Sequence, residues 1–371
     1  MEKKIIFFLG TEAELIKVFP IMIECRKREI PYITIASGQN DLIQSTIWDT
    51  FNCGMVEFEV NHVRHISTGM QLLAWWGRTY LCAKHRIKKK LKNIDFKNSI
   101  MIVHGDTVST FLGSIIGRKL GMKVAHIEAG LRSYHIFDPF PEEIDRILTS
   151  KFAQIHFAPG AQAFNNLQKV KGEVINTVHN TLYDSLQYSL EVPLENERVK
   201  EIVNQKYFVF VMHRQENLMK EEFVREILSR VVSSASGDLK CVILLHAITR
   251  NAFIKLDLLD PLQCNPAVVL LPRTPYSDFM KLLNNAEFVI TDGGSNQEEL
   301  YYMGKACLII RSHSERSEGL GENASLYGGD YDEITRFINR HKDMRAERII
   351  IKKSPSTIIV DCLEKMEIGE N

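Results

Sequence analysis

The chain has 371 residues, of which 45% are hydrophobic and 25% are charged, the balance of a globular protein long enough for two domains. Its 46 lysines and arginines equal its 46 aspartates and glutamates, so net charge gives no reason to expect nucleic acid or an anionic membrane as the main partner. No apolar run approaches the ~20 residues of a membrane span, and none of the 7 cysteines has a CxxC or other metal-ligand spacing. We therefore expect a cytoplasmic protein with reduced cysteines, no metal centre and no membrane insertion.

The N-terminal part of the chain predicts strands that alternate with helices. An apolar run from Lys4 to Gly10 ends in a polar turn, after which apolar residues recur at helical spacing. The turn lacks the GxGxxG pattern, so a dinucleotide fingerprint is absent where it is expected. Further apolar runs lie at 33–36, 99–106, 123–130, 155–159 and 174–178. This alternation predicts an α/β fold with a doubly wound parallel sheet.

The alternation restarts after residues 186–206, a mostly polar and charged stretch that we interpret as a linker. Later apolar runs lie at 208–213, 240–246, 268–271, 288–292 and 306–310. We therefore predict two Rossmann-like domains, 1–185 and 186–354, with a C-terminal helix at about 355–371 that packs back on the first. Two such domains facing each other across a cleft form the GT-B arrangement, although a fold alone does not give a function.

Carboxylates end two predicted strands of the first domain. Asp106 and Glu128 each close an apolar run, and in a parallel sheet both lie at the carboxyl edge, where chemistry is commonly placed. A helix N-cap is an equally good interpretation of Asp106, whereas Glu128 favours a site. Glu142 and Arg146 stand four residues apart on a proline-led helix. They form either a surface ion pair worth ~0.3–0.5 kcal/mol or a proton carrier with a fixed cation.

Histidines end two successive strands of the second domain. Two such histidines, His213 and His246, favour a site over a structural role, and Arg214 beside the first suits a phosphate or a leaving-group oxygen. Together they predict a second cluster of polar groups at a sheet edge.

Residues 292–299 pass from a predicted strand into a helix. The backbone N–H groups of this turn, at Gly293, Gly294 and Ser295, form a seat for phosphate. Glu299, one helical turn further, is placed to accept hydrogen bonds from ribose hydroxyls. Residues 319–324 match GxGxxA only superficially, and we interpret them as a flexible loop.

In this order, the motifs resemble the UDP-N-acetylglucosamine 2-epimerase family over about residues 10–328. They comprise His104-Gly-Asp106-Thr, His126-Ile-Glu128-Ala-Gly-Leu-Arg132, Pro139-Phe-Pro-Glu142-Glu143-Ile-Asp-Arg146, Phe157-Ala-Pro, Asn180-Thr, His213-Arg-Gln-Glu-Asn, Asp292-Gly-Gly with Gln297-Glu-Glu299, and Glu315-Arg316-Ser-Glu318-Gly. The resemblance implies a GT-B-like homodimer. It implies that this dimer inverts C2 of a UDP-N-acetylhexosamine for surface polysaccharide synthesis, without NAD or a metal.

The resemblance also assigns roles to matching positions. The acid and base groups are three carboxylates, Asp106, Glu128 and Glu142. The groups that hold or protonate the departing diphosphate are Lys17, Arg146 and His213. Phe279 and Glu299 match uracil and ribose contacts. The other substrate-binding positions are Thr11, Arg132, Arg214, His246, Gly293, Gly294, Ser295 and Arg316.

The chain departs from the family pattern at three places. Glu12 replaces an arginine that faces the diphosphate, the phosphate turn reads Asp292-Gly-Gly-Ser-Asn296, and His179 replaces a glycine. Two alternatives therefore stay open. One is a hydrolysing epimerase that releases UDP and a free sugar. The other is a GT-B glycosyltransferase or a nucleotide-sugar binder on the same scaffold.

Overall fold

The computed structural model describes residues 4–62, 69–134, 141–312 and 316–368. The motif residues Pro139 and Glu315 lie outside these ranges. The chain divides into two compact units, one formed by residues 1–185 with 353–371 and the other by residues 186–352. Within the described ranges, every helix is too short or too polar to cross a membrane.

The first unit contains a seven-stranded parallel sheet in the order β3-β2-β1-β4-β5-β6-β7. Its strands are β1 (Ile5–Leu9), β2 (Tyr32–Ala36), β3 (Phe58–Glu59), β4 (Ile100–His104), β5 (Lys123–Ile127), β6 (Ile155–Ala158) and β7 (Glu173–Asn176). Its helices are α1 (Glu12–Lys27), α2 (Ile47–Phe51), α3 (Gly69–Lys90), α4 (Val108–Leu120), α5 (Glu142–Phe152), α6 (Ala161–Asn166), the start of α7 (Leu182–Glu191), and α16 (Pro355–Ile368), with a 3-10 turn at Phe96–Asn98.

The second unit contains a six-stranded parallel sheet in the order β10-β9-β8-β11-β12-β13. Its strands are β8 (Tyr207–Val211), β9 (Lys240–Leu245), β10 (Val268–Pro272), β11 (Val289–Thr291), β12 (Cys307–Ile309) and β13 (Ala324–Leu326). Its helices, after the end of α7, are α8 (Glu197–Val203), α9 (Gln215–Leu218), α10 (Glu221–Ser233), α11 (Ala247–Lys255), α12 (Leu259–Cys264), α13 (Tyr276–Asn285), α14 (Gly294–Met303) and α15 (Asp332–Arg340).

Both sheets reverse their strand order beside their first strand, between β1 and β4 and between β8 and β11. In doubly wound sheets this switch point opens a crevice at the carboxyl ends of the strands, where ligands bind. Every residue of β1, β4 and β8 is buried, because these central strands are covered on both faces. The predicted α/β fold with two doubly wound, Rossmann-like sheets is confirmed.

Residues 186–206, interpreted from composition as a linker, are mainly helical, so this interpretation was wrong. The end of α7 and all of α8 lie in this stretch. Leu186, Val199 and Ile202 are buried, and most of the polar residues between them are exposed or half-buried. The polar composition of this stretch reflects amphipathic helices, each of which buries only a narrow stripe of apolar residues.

Residues 319–324, interpreted from the sequence as a flexible loop, form a hydrogen-bonded turn in which the N–H groups of Glu322 and Ala324 donate to the Gly319 carbonyl. Gly319 and Gly321 adopt φ values of 73° and 83°, which glycine reaches at low cost. The chain then enters β13, in which Ala324 pairs with Cys307 of β12.

The C-terminal helix α16 belongs to the first unit and contacts α1. Arg28 of α1 donates to Asp361 at 2.7 Å and to Glu364 at 3.2 Å. At the start of α16, the Ser356 N–H donates to the buried carboxylate of Asp184 at 2.8 Å. Polar contacts therefore hold the start and the middle of this helix.

Candidate active site

A buried ion pair lies at the switch point of the first sheet. The Lys17 ammonium of α1 is 2.7 and 2.9 Å from the two carboxylate oxygens of Glu128, which follows β5. The two side chains are only 9% and 4% exposed, and the amide of Asn180 also donates to Glu128. A positive charge and a hydrogen bond at this distance favour the ionised form of a carboxyl.

The backbone of Glu128 is strained. Its φ of 61° lies in the left-handed region, which costs a residue with a side chain roughly 1–2 kcal/mol. Such strain is tolerated mainly where the surroundings fix a functional group. The strained turn directs the Glu128 carboxylate toward Lys17.

Asp106 pairs with Arg146, whose Nη2 lies 2.5 Å from Asp106 Oδ2. The helix after β4 is capped by Thr107, whose side chain accepts from the Thr110 N–H. The N-cap interpretation of Asp106 was therefore wrong. Because the Arg146 side chain is only 11% exposed, the surface ion pair considered for it is also excluded.

Arg132 contacts Glu143, one residue after the predicted Glu142. Its Nε donates to one Glu143 oxygen, while the Ser133 N–H donates to the other at 3.0 Å. Glu143 is fully buried and also lies 3.5 Å from Arg146. This carboxylate fixes the start of α5, so Glu142 and Asp145 in the same turn are held beside Asp106.

His126, on β5, orients the turn that bears Asp106. Its Nε2 donates to the Gly105 carbonyl at 2.7 Å, and Gly105 adopts a φ of 69°. Burial lowers the pKa of His126 to about 4, so the imidazole is neutral near pH 7. The side chain therefore acts here as a hydrogen-bond donor without adding charge to the site.

Thr11, predicted to contact substrate, caps α1. Its hydroxyl accepts from the Glu14 N–H at 3.3 Å, and the Glu14 carboxylate accepts from the Gly10 N–H at 2.6 Å. The Thr107 hydroxyl also donates to Glu14. Glu14 thus ties together the turns after β1 and β4.

Asn180 is placed by a tight turn centred on Val178. The His179 N–H donates to the Thr177 carbonyl at 2.7 Å, and Val178 adopts a φ of 67°. A β-branched residue rarely adopts this conformation. The sequence suggested His179 as the replaced glycine, but the left-handed position is Val178.

Replacing Val178 by glycine is expected to stabilise the protein by about 1 kcal/mol. Relief of left-handed strain gains about 1–2 kcal/mol, and the extra freedom of glycine in the unfolded chain costs about 0.4–1 kcal/mol. The Val178 side chain is 57% exposed, so little buried surface is lost. Urea unfolding followed by tryptophan fluorescence checks this. Val178→Ala, which keeps a Cβ, should gain less, and a less stable glycine variant would contradict the strain.

In the second unit, buried Asp292 organises the residues after β8. Its carboxylate accepts from the backbone N–H groups of His213, at 3.0 and 3.2 Å, and Arg214, at 2.9 Å. It also accepts from the Asn217 amide at 3.1 Å and lies 3.1 Å from His213 Nδ1. Burial works to raise the pKa of Asp292, but the hydrogen bonds and the charge of His213 outweigh burial and lower it.

His213 and His246 lie together, with ring centroids 5.0 Å apart. Burial, and then the neighbouring His213 and Arg273, lower the pKa of His246 to about 4. His246 is therefore neutral near pH 7, and Arg273 adds positive charge beside it.

The turn into α14 has room only for glycine at its N-cap. A Cβ on Gly293 would lie 2.6 Å from Asn296 Oδ1 and 3.0 Å from His213 Cε1. The Gly293 N–H donates to the Thr291 hydroxyl at 3.0 Å, so this N–H of the predicted phosphate seat is already used. Gly294 and Ser295 form the first turn of α14.

Two adjacent glutamates of α14 have fixed partners. Glu299 accepts from the Tyr276 hydroxyl and from the Asn296 amide, both at 2.9 Å. Glu298 accepts from the Arg316 guanidinium. Phe279 lies on α13, half-buried, one turn beyond Tyr276. Arg316 therefore holds a glutamate in place at the start of α14.

The predicted residues thus fall into one cluster in each unit. In the first unit they are Lys17, Asp106, Glu128, Arg132, Glu142 and Arg146, with Thr11 at the adjacent helix start. In the second they are His213, Arg214, His246, Phe279, Gly293, Gly294, Ser295, Glu299 and Arg316. Among the residues that the structure describes, no group of three His, Cys, Asp or Glu side chains is arranged to hold a metal ion.

Known proteins are similar to this chain in both sequence and fold. The sequence model of the UDP-N-acetylglucosamine 2-epimerase family matches residues 24–355. A UDP-N-acetylglucosamine 2-epimerase of Methanococcus maripaludis is 31% identical over 338 residues, 88% of each chain.

Solved structures agree with this relationship. The UDP-GlcNAc 2-epimerase from Neisseria meningitidis bound to UDP-GlcNAc has a TM-score of 0.81 at 26% identity, over 98% of this chain and 100% of that one. The enzyme from Methanocaldococcus jannaschii in complex with UDP-GlcNAc and UDP has a TM-score of 0.80 at 26% identity, over 97% and 99%. This chain belongs to the UDP-N-acetylglucosamine 2-epimerase family.

Proposed function

We propose that this protein inverts C2 of UDP-N-acetylglucosamine, or of a related UDP-N-acetylhexosamine, by eliminating and re-adding UDP. Family membership and the UDP-GlcNAc named in the related structures support this substrate. The observation that supports the chemistry most strongly is the buried Lys17–Glu128 pair beside the Asp106–Arg146 pair.

The reaction needs a base and an acid at different faces of the sugar. The C2 proton of a pyranose is not acidic, so we infer that UDP leaves C1 first and that the developing cation acidifies C2. Loss of the proton gives a 2-acetamidoglucal. A proton then returns to C2 on the other face, and UDP re-adds at C1, so no atoms are gained or lost. The configuration at C2 is inverted because the proton leaves and returns on opposite faces of the sugar ring.

We assign removal of the C2 proton to Glu128, because Lys17 and Asn180 favour its ionised form. We assign return of the proton to Asp106 and Glu142, with Arg146 as the fixed cation. Carboxyls that share acid and base duties require different environments. Glu128 is paired with the ammonium of Lys17, whereas Asp106 is paired with the guanidinium of Arg146.

We assign the UDP contacts to the second unit. His213 and Arg214 supply nitrogen donors for phosphate, and the start of α14 supplies backbone N–H groups and a helix dipole. Glu299, whose carboxylate also accepts from the Tyr276 hydroxyl and the Asn296 amide, is the proposed ribose contact. Phe279 is the proposed uracil contact.

Incubation with UDP-GlcNAc in deuterated water tests the proposal. Deuterium should appear at C2 of both the substrate and its epimer, as measured by proton NMR. A protein that binds UDP-GlcNAc but leaves the C2 proton unexchanged would instead be a glycosyltransferase or a binding protein.

The hydrolysing alternative is supported by Glu12, which reverses the charge at a position where the family has arginine. Repulsion of the diphosphate by this carboxylate would favour loss of UDP over its return. Phosphorus NMR of the same reaction separates the two outcomes. Free UDP that accumulates in step with sugar release identifies hydrolysis, whereas a constant pool of UDP-sugar identifies epimerisation.

From the family resemblance we further propose a homodimer that works in the cytoplasm and supplies precursors for surface polysaccharides. Sedimentation analysis of the full chain tests the dimer directly.

A further inference from the structure

Asp145 of α5 is a buried carboxyl that the proposed chemistry has not yet used. The residue is 6% exposed, and its Oδ2 is buried without a hydrogen-bond partner among the described residues. An ionised carboxylate in such a place is costly. A protonated carboxyl avoids most of that cost.

The groups around Asp145 are mainly acidic. It lies one helical turn after Glu142, on the same face of α5, and next to Arg146, whose guanidinium reaches Asp106. Glu143, in the same turn, is paired with Arg132 and lies 3.5 Å from Arg146. Four carboxyls therefore face two guanidinium groups.

The other elements near α5 do not change this balance. The ammonium of Lys17 is taken by Glu128, and His126 is neutral near pH 7. Helix α4 packs on α5 and presents no ionisable side chain before Arg118. Burial of Asp145 and the neighbouring carboxyls Asp106 and Glu142 therefore both favour its protonated form.

We propose that Asp145 is held as a carboxylic acid and shares its proton with Asp106 and Glu142, so that it replenishes the acid of the site. Burial, and then the charges of Asp106 and Glu142, raise the pKa of Asp145 to about 7. This value matches a group that gives and regains a proton near neutral pH.

This role rests on the proposed function and completes its proton balance. Each turnover leaves one proton on the base and removes one from the acid. The Asp145 O–H bond breaks and an O–H bond forms on Glu142 or Asp106, while the net charge of the cluster stays constant. The base then loses its proton to solvent, and Asp145 regains one. Asp145 is thus a positioning residue that acts through Glu142 and Asp106, and it does not itself contact the sugar.

The test compares Asp145→Asn with a matched control, Asp184→Asn. Asparagine keeps the shape of a protonated aspartate but has no transferable proton. Asp184 is a buried carboxyl of the same unit whose partner is the Ser356 N–H, outside the site. Both variants are made in the full chain and assayed with UDP-GlcNAc for C2 deuterium exchange between pH 5 and pH 9.

Wild type and Asp184→Asn should lose exchange rate above pH about 7, because Asp145 ionises there. Asp145→Asn should be about 10–100-fold slower at pH 6, with little change in KM, and should lack this alkaline fall. A variant that keeps the wild-type rate and pH profile would overturn the proposal.

Infrared difference spectra provide a readout that needs no substrate. Wild type minus Asp145→Asn should show a protonated-carboxyl C=O band at pH 5 that disappears as pH rises through about 7. Absence of the band overturns the proposal even if the enzyme is active. Absence of deuterium exchange in wild type rejects the proposed function instead, and the infrared band then decides the state of Asp145 alone.

Discussion

Replacing Glu128 by glutamine is expected to slow C2 proton exchange in UDP-GlcNAc by about 10²–10⁴-fold, the usual contribution of a general base. The amide keeps the size of the side chain and one acceptor oxygen, but it cannot accept the C2 proton. Deuterium incorporation at saturating substrate measures the loss. Because Glu128 is 7% exposed and lies at the switch point, we expect the effect in kcat more than in KM. Exchange at the wild-type rate would remove Glu128 from the proton pathway.

The same substitution should also lower stability, since it leaves a buried ammonium without its carboxylate. Breaking a buried pair by removing one partner costs about 3–5 kcal/mol. Lys17→Met should lower the free energy of unfolding by a similar amount, because it leaves a buried carboxylate without its ammonium. The double variant Lys17→Met with Glu128→Gln should regain much of this stability but none of the exchange activity. All three tryptophans lie in the first unit, so their fluorescence follows the unfolding of that unit.

A surface pair provides the control for this cycle. Arg225 and Glu221 form an exposed i,i+4 pair on α10 at 2.8 Å, with side chains 47% and 61% exposed. Because such pairs contribute under about 1 kcal/mol, Glu221→Gln should change the unfolding midpoint measured by far-UV circular dichroism little. If the double variant of Lys17 and Glu128 were as unstable as the sum of its single variants, the two charges would not be coupled, and the ion pair would be excluded as the reason.

The parts of the fold that the sequence predicted well are those in which one local signal is sufficient. Buried parallel strands are continuous apolar runs, and polar residues mark their carboxyl ends, so Asp106, Glu128 and His213 could be placed at sheet edges from the sequence alone. Strands β3 and β13, with two and three residues, are too short to show a periodic pattern. They exist because neighbouring strands provide the hydrogen bonds.

The missed residues are those defined by neighbours distant in sequence. Asn180 was part of a family motif, but its role followed only from its contact with Glu128, 52 positions earlier. Asp292 was recognised as the start of a turn, but its contacts with residues 213–217 required the sheet. Asp145 was part of a quoted motif, and its burial beside Asp106 could not be deduced from spacing. The sequence does not indicate the left-handed conformation of Val178, because valine rarely adopts that conformation.

Replacing Asp292 by alanine is the prediction with the largest expected effect in the second unit. The change leaves the N–H groups of His213 and Arg214 and the Asn217 amide without their shared acceptor. Each buried unsatisfied donor costs about 1–3 kcal/mol, so we expect a total loss of about 3–5 kcal/mol. Far-UV circular dichroism should report it, whereas tryptophan fluorescence from the first unit should change less.

Asp278→Ala is the matched control for Asp292→Ala. Asp278 is also buried in the second unit, at 3% exposure, but its hydrogen bond to the Glu195 N–H is long, at 3.4 Å. Its removal should cost about 1 kcal/mol or less. Equal losses for the two alanine variants would show that burial alone, and not the group of donors around Asp292, sets the cost.

Asp292→Asn separates the charge of this residue from its shape. Asparagine retains one acceptor oxygen, so the loss should be smaller than for alanine. Because the folded pKa of Asp292 is lowered, its ionised form adds stability that is fully present above pH about 4 and is lost as pH falls through the lowered pKa. The difference between wild type and Asp292→Asn should therefore be constant from pH 5 to pH 8. A difference that instead shrinks within that range would mean that Asp292 does not stay ionised there, and it would no longer be the anion that orients His213.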